Sequence, residues 1–166
     1  DFFDNSTAAN ATINLNNATA LLSFFDTATA ANAIINNDGS GPFPGSVVTF
    51  FNNSTAANAV ITNRGANTQT LFTDSINAAN AIIINSGDGS STAFAANASG
   101  GRATLINANS TAIIDISQLT TGGIEVGSVA GNGALRLGSK SLTVGNTNAS
   151  TEFSGIIQDG VGYRAG

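Results

Sequence analysis

The chain contains no cysteine, histidine, methionine or tryptophan, a single tyrosine and two prolines. Without cysteine it forms neither a disulfide framework nor a thiolate metal site. The same absence suits passage through an oxidising periplasm, where a stray thiol would cross-link an unfolded chain. Without histidine, the many Ser and Thr hydroxyls lack the usual general base, so nucleophilic catalysis has no evident pairing. Charged residues make up 9% of the sequence, against about 25% in ordinary soluble domains. The net charge of −5 and the lack of any basic cluster argue against electrostatic binding to nucleic acid or anionic lipid. No apolar run approaches the roughly 18 residues of a membrane span, and the opening Asp1-Phe2-Phe3-Asp4 does not read as a signal peptide. No membrane insertion is expected of this segment, which reads as a mature or excised part of something longer.

What replaces the charges is Asn, Ala, Thr, Ser and Gly, together with a hydrophobic content of 42% over 166 residues. That is enough apolar side chain to offset chain entropy in one domain. Small neutral residues suit a fold that stacks like on like. Identical charges on adjacent strands lie about 5 Å apart and repel, whereas stacked amides and hydroxyls hydrogen-bond.

The sequence repeats. Phe2-Phe3-Asp4-Asn5-Ser6-Thr7-Ala8-Ala9-Asn10-Ala11-Thr12-Ile13-Asn14 returns as Phe24-Phe25-Asp26-Thr27-Ala28-Thr29-Ala30-Ala31-Asn32-Ala33-Ile34-Ile35-Asn36. Further copies start at Phe50 and Phe72, and a weaker one at Phe94, so the steps are 22, 26, 22 and 22 residues. The long step holds Asp38-Gly39-Ser40-Gly41-Pro42-Phe43-Pro44-Gly45, dense in turn formers, and predicts a four-residue loop insertion in one coil. Another step of 22 reaches Ile116, followed by Thr121-Gly122-Gly123-Ile124-Glu125-Val126 in the slots of the earlier units. Runs with period two, no helical periodicity, and a unit too short to bury its own apolar side predict stacked coils of parallel strands. At about 3.3 Å per residue such a coil traces at most about 70 Å, room for two or three short strands. The fold expected is a parallel β-helix of about 22 residues per coil, with coils of the Phe-Phe type over residues 1–126.

Alternation assigns the faces. Ala11, Ala33, Ala59, Ala81 and Ala103 form one inward column, and Ile13, Ile35, Ile61, Ile83 and Leu105 the next. Leu22, Val48 and Ile114 join them, with Phe2, Phe24, Phe50, Phe72 and Phe94. Phe3, Phe25 and Phe51 then face outward as an aromatic stripe, unusual on a monomer. The stripe is either a lateral contact surface or is covered by the loop around Pro42-Phe43-Pro44.

Residues 127–166 differ. Gly131-Asn132-Gly133, then Leu135-Arg136-Leu137-Gly138-Ser139-Lys140-Ser141-Leu142-Thr143-Val144-Gly145, then Thr151-Glu152-Phe153-Ser154-Gly155-Ile156-Ile157-Gln158-Asp159-Gly160 follow in order. This stretch closely resembles the passenger-associated transport repeat of bacterial autotransporters, over about 33 residues. The upstream units are similar to the repeats that precede this element in long surface proteins of that type. The resemblance implies a right-handed parallel β-helix, export across the inner membrane, and display at the cell surface or release outside it. Such proteins end in a membrane β-barrel of alternating strands; here the sequence stops at Tyr163-Arg164-Ala165-Gly166, as expected of a passenger piece.

Three columns are candidate sites. Asp4, Asp26, Asn52 and Asp74 share one repeat position. Their oxygens suit calcium, yet a solvated turn in which Asn52 separates like charges accounts for them, and no metal or cofactor is expected. Asn10, Asn32, Asn58 and Asn80 are expected to form an internal ladder of stacked amides at a coil corner rather than an outward carbohydrate- or ice-binding array. Paired carboxylates for glycoside hydrolysis are not evident, because the acidic residues occupy repeat-equivalent or turn positions. The expected role is non-enzymatic: an extracellular structural solenoid, secreted or on the bacterial surface. It either associates end to end into a homo-oligomer or filament, since neither end carries a helical or charged cap, or forms the stalk of a surface protein. The alternative is an adhesin segment that takes a glycan or protein ligand along its side.

Overall fold

The computed structural model describes residues 1–159, which are all-β, with no helix among them. Gly160 and Tyr163-Arg164-Ala165-Gly166 lie outside the described residues. The chain winds into a parallel β-solenoid of about seven turns, with about 22 residues per turn. One six-stranded sheet holds β1 (Thr12–Leu15), β3 (Ile34–Asn37), β5 (Val60–Asn63), β7 (Ile82–Asn85), β9 (Thr104–Asn107) and β12 (Ser128–Gly131). A seven-stranded sheet holds β2 (Leu21–Phe24), β4 (Val47–Phe50), β6 (Gln69–Phe72), β8 (Ser91–Ala96), β10 (Ile113–Leu119), β13 (Ala134–Arg136) and β15 (Ile156–Gln158). The third side is one residue wide over the first coils, with parallel bridges from Thr7 through Thr29, Thr55 and Asn77 to Ser99. It widens at β11 (Gly123–Val126) and β14 (Ser141–Val144), which pair in parallel.

Corners between these sides depend on residues in the left-handed region. Where the chain leaves the seven-stranded sheet, Asp4, Asp26, Asn52 and Asp74 have φ of 54°, 56°, 56° and 60°. Asp and Asn enter that region more readily than other side chains. Where it enters the six-stranded sheet, Ala9, Ala31, Ala57 and Ala79 have φ between 50° and 52°, at about 1 kcal/mol or more each for a residue with a Cβ. The preceding hydroxyl or amide compensates by accepting the Ala N–H, at 3.0 Å for Thr7 and Thr29, 3.1 Å for Thr55 and 2.7 Å for Asn77. The Ser-Thr-Ala-Ala-Asn-Ala motif is therefore a corner with its own internal hydrogen bond.

The insertion lies in the third corner. Phe24 pairs with Phe50 and Asn37 with Asn63, each 26 residues on, while Leu15 pairs with Asn37 and Phe50 with Phe72, 22 on. The extra residues therefore fall between Asn37 and Ser46. Beyond Leu105 the coil length drifts. Thr104 pairs with Ser128, Ile113 with Ala134 and Gly123 with Ser141. The expected step of 22 fails here: Gly123-Ile124-Glu125-Val126 form the widened third side, and the six-stranded sheet resumes only at Ser128. The two long sheets run through residue 127 without a break.

The core follows the sequence alternation. Phe24, Phe50, Phe72 and Phe94 are fully buried, as are Ile35, Ile61, Ile83 and Leu105. Successive rings from Phe2 to Phe94 stack with centroids 4.7, 4.7, 5.1 and 4.8 Å apart, the spacing of the strands themselves. Each buried Phe contributes about 1.5–3 kcal/mol of burial free energy. Leu22, Val48 and Ile114 also point inward. A second inward column is polar: Asn37, Asn63, Asn85 and Asn107 are fully buried. The amide Nδ2 of each of the first three donates to Oδ1 of the next at 2.8, 2.8 and 2.9 Å. Thr70 and Thr92 hydroxyls donate to Oδ1 of Asn63 and Asn85 at 3.1 and 3.0 Å, so the amides are satisfied as burial requires.

Candidate functional site

The sequence columns lie side by side on the outer surface. Phe3, Phe25 and Phe51 stack with centroids 4.9 and 4.8 Å apart and planes within 6° and 3° of parallel. Phe3 is 52% exposed, and Phe25 and Phe51 are half-buried. Because each ring covers its neighbour's face, the stripe presents mainly ring edges. The Pro42-Phe43-Pro44 loop does not cover it. That loop leads into β4 at Val47, packs on Ala18 and reaches Ala66 and Asn67, whereas Phe51 follows the opposite end of the same strand.

Next along each coil come Asp4, Asp26, Asn52 and Asp74. Their oxygens point along the solenoid axis: the N–H groups of Asp4, Asp26 and Asn52 donate to Asp26, Asn52 and Asp74 at 3.1, 3.0 and 2.8 Å. The side chains of Asp26, Asn52 and Asp74 thus each satisfy the left-handed corner of the coil before. Among the described residues no group of three or more carboxylates could hold a metal ion.

Asn10, Asn32, Asn58 and Asn80 do form an amide ladder, with Nδ2 of each later residue donating to Oδ1 of the one before at 3.1, 3.1 and 3.0 Å. It is not the internal ladder expected from the sequence. All four residues are exposed, because the left-handed Ala before each one turns the chain so that Ala33, Ala59 and Ala81 take the inward place, while Ala11 in the first coil, expected inward, is itself exposed. The internal ladder is Asn37, Asn63, Asn85 and Asn107, which lie outside the repeated motif but continue the inward parity of Ala33 and Ile35.

Two concavities accompany these columns. A groove of about 210 Å³ on the outer face of the seven-stranded sheet is lined by Gln69, Leu71, Ala93, Ala95, Asp115 and Gln118. Asp115 is 2% exposed; one oxygen accepts the Ser117 N–H at 2.9 Å and the other faces Arg136 Nη1 at 3.9 Å. The sequence signal was a lone carboxylate between Ile114 and Ile116. The larger concavity, about 420 Å³, lies where the third side widens. Asn77, Asn97, Ser99 and Arg102 form one wall, and Thr121, Ile124, Glu125 and Asn146 the other. Gly100 replaces the inward Ala of earlier coils because a Cβ there would lie 2.5 Å from the Glu125 carbonyl oxygen. Asn146 Nδ2 donates to the Gly101 carbonyl at 2.9 Å and ties the far wall to the near one.

Compared with known protein families, with characterised proteins and with solved structures, the chain finds no match.

Proposed function

We propose that this chain is a non-enzymatic structural segment of a secreted or bacterial cell-surface protein of the autotransporter passenger type, acting as a stiff stalk. The observation that carries this reading is the axial use of side chains. Stacked rings and amides, and carboxylates that cap the preceding coil, join neighbouring coils over the first five turns. Repetition at those positions serves stacking, as expected of an element whose task is to extend. The passenger-repeat resemblance of residues 127–160 supplies the export and surface location in this reading. Protease accessibility on intact cells that produce the protein with its natural flanking sequence tests it. Cleavage of this segment without cell lysis is expected, and full protection would overturn the reading.

Among the described residues, the edge strands β2 and β15 of the seven-stranded sheet would accept a second copy end to end. Electron microscopy of the purified chain across a concentration series separates the two forms. Isolated rods a few nanometres long fit the stalk, and long unbranched fibres with a repeat of about 4.8 Å would replace it with a filament subunit.

A second reading, adhesion along the flank, is favoured by the uncovered Phe3, Phe25 and Phe51 stripe. Ring edges rather than faces are on offer, so the ligand is an apolar protein surface rather than a sugar stacked on an aromatic platform. Phe25→Asp removes that contact and leaves axial association largely intact. Unchanged adhesion of the variant would overturn the flank reading.

A further inference from the structure

We infer that the concavity at the widened third side is a binding site for a neutral saccharide, read as a disaccharide unit of a longer chain. Upstream, the outward polar columns satisfy one another. Asn32, Asn58 and Asn80 donate along their ladder, and the Thr27 hydroxyl donates to Asn5 Oδ1 and the Asp4 carbonyl. At the fifth coil this closure ends. Arg102 takes the ladder position after Asn80, and among the described residues its guanidinium makes no hydrogen bond or ion pair. Glu125, across the cleft, is likewise without a side-chain partner among the described residues.

The remaining groups leave a mixed set of donors and acceptors. Asn77 and Asn97 use their Oδ1 atoms on the Ala79 N–H and the Thr120 hydroxyl, which leaves both Nδ2 groups free among the described residues. Asn146 uses Nδ2 on Gly101, which leaves its Oδ1 free among the described residues. Amide N–H groups and a guanidinium on one wall therefore face amide and carboxylate oxygens on the other, where Ile124 supplies apolar lining. A sugar hydroxyl both donates and accepts, and vicinal hydroxyls match the bidentate guanidinium and carboxylate. A volume of about 420 Å³ falls within the range of small-molecule sites. Arg102 and Glu125 cancel in charge, and Glu125 disfavours an acidic sugar, so a neutral one is specified. The inference goes beyond the stalk reading and uses none of the flank phenylalanines.

Saturation-transfer NMR on the 166-residue chain tests it with four probes at millimolar concentration. Lactose stands for galactose-terminated chains, chitobiose for amino-sugar polymers, and maltose and mannobiose for glucans and mannans. The dipeptide alanyl-alanine is a zwitterionic control. Transfer to at least one disaccharide is expected, about tenfold weaker in Arg102→Gln and in Glu125→Gln, as for loss of a hydrogen bond to a charged group. It should be unchanged in Phe25→Asp. Both cleft variants alter exposed side chains, so their unfolding midpoints should match the parent and separate lost binding from lost folding. Absence of transfer to all four disaccharides, transfer unaltered in both cleft variants, or transfer to the dipeptide alone would each overturn the inference.

Discussion

Two ladders of the same chemistry, one buried and one exposed, allow a controlled test of what an amide column contributes. Asn63 sits in the buried ladder. It accepts from Asn37 Nδ2 at 2.8 Å and the Thr70 hydroxyl at 3.1 Å, and donates to Asn85 Oδ1 at 2.8 Å and the Ser91 carbonyl at 3.2 Å. Asn63→Ala removes all four bonds. Asn37 Nδ2 keeps the Ser46 and Gln69 carbonyls at 3.1 Å each, and Asn85 Oδ1 keeps the Thr92 hydroxyl at 3.0 Å. The Thr70 hydroxyl loses its acceptor in the dry interior, which costs about 1–3 kcal/mol. The remaining lost bonds and the space vacated by the amide bring the expected destabilisation to about 3–4 kcal/mol. Asn58 makes two bonds of the same kind, at 3.1 and 3.0 Å, but in the exposed ladder. Water replaces both partners, so Asn58→Ala should fall within about 0.5 kcal/mol of the parent. Urea unfolding followed by far-ultraviolet circular dichroism reads both values from the midpoint, provided the slope is unchanged. Equal shifts in the two variants, or less than about 1 kcal/mol for Asn63→Ala, would refute the claim that burial gives this column its weight.

Other substitutions follow from the same geometry. Phe50→Ala, which opens the ring stack between Phe24 and Phe72, should lower stability by about 3–5 kcal/mol in the same urea assay. Adjacent alanines should respond with opposite sign: Ala57→Gly relieves a left-handed Cβ and raises stability by up to about 1 kcal/mol, while Ala56→Gly in the core lowers it by a similar amount. Deleting residues 41–44 leaves Asp38-Gly39-Ser40-Gly45-Ser46 to match Arg64-Gly65-Ala66-Asn67-Thr68 but removes the bond from Asn67 Nδ2 to the Gly41 carbonyl at 2.9 Å, and should lower stability by about 1–2 kcal/mol with an unchanged spectrum. Asn63→Asp sets a carboxylate against the Asn85 and Ser91 acceptors. Its folded pKa should rise above the unfolded value, so the variant loses stability as pH climbs through that range and recovers it on acidification.

The sequence was most legible where one residue type marked one place in the coil. Phe at 2, 24, 50, 72 and 94 located the stack, and the long step located the loop between Asn37 and Ser46, because stacking requires equivalent residues at equivalent heights. The amide columns were harder. Parity alone puts Asn10, Asn32, Asn58 and Asn80 outside and Asn37, Asn63, Asn85 and Asn107 inside. Expecting the first set within followed the motif rather than the alternation. The left-handed Ala before each exposed Asn carries no mark of its own, since Ala is disfavoured there and only the Thr or Asn two residues earlier compensates. The widened third side was invisible as well. Gly123 to Val126 have the look of another repeat unit, and only the close approach of Glu125 to Gly100 fixes where they lie.

The buried amide column also has a direction. Its Nδ2 atoms are held by backbone carbonyls of Ser46, Gln69, Ser91 and Ile113, so no amide can be turned over without stranding a donor. It begins where the Ser46 hydroxyl donates to Asn37 Oδ1 and ends where Asn107 Nδ2 donates to the Ala134 carbonyl. Leu15 occupies the matching place before it and Gly131 the place after. The column is thus a polarised wire of fixed length, terminated at both ends, inside a wall that repeats. A coil exchanged within it must arrive in one orientation and carry an amide at one address, whereas coils beyond its ends are free of that constraint.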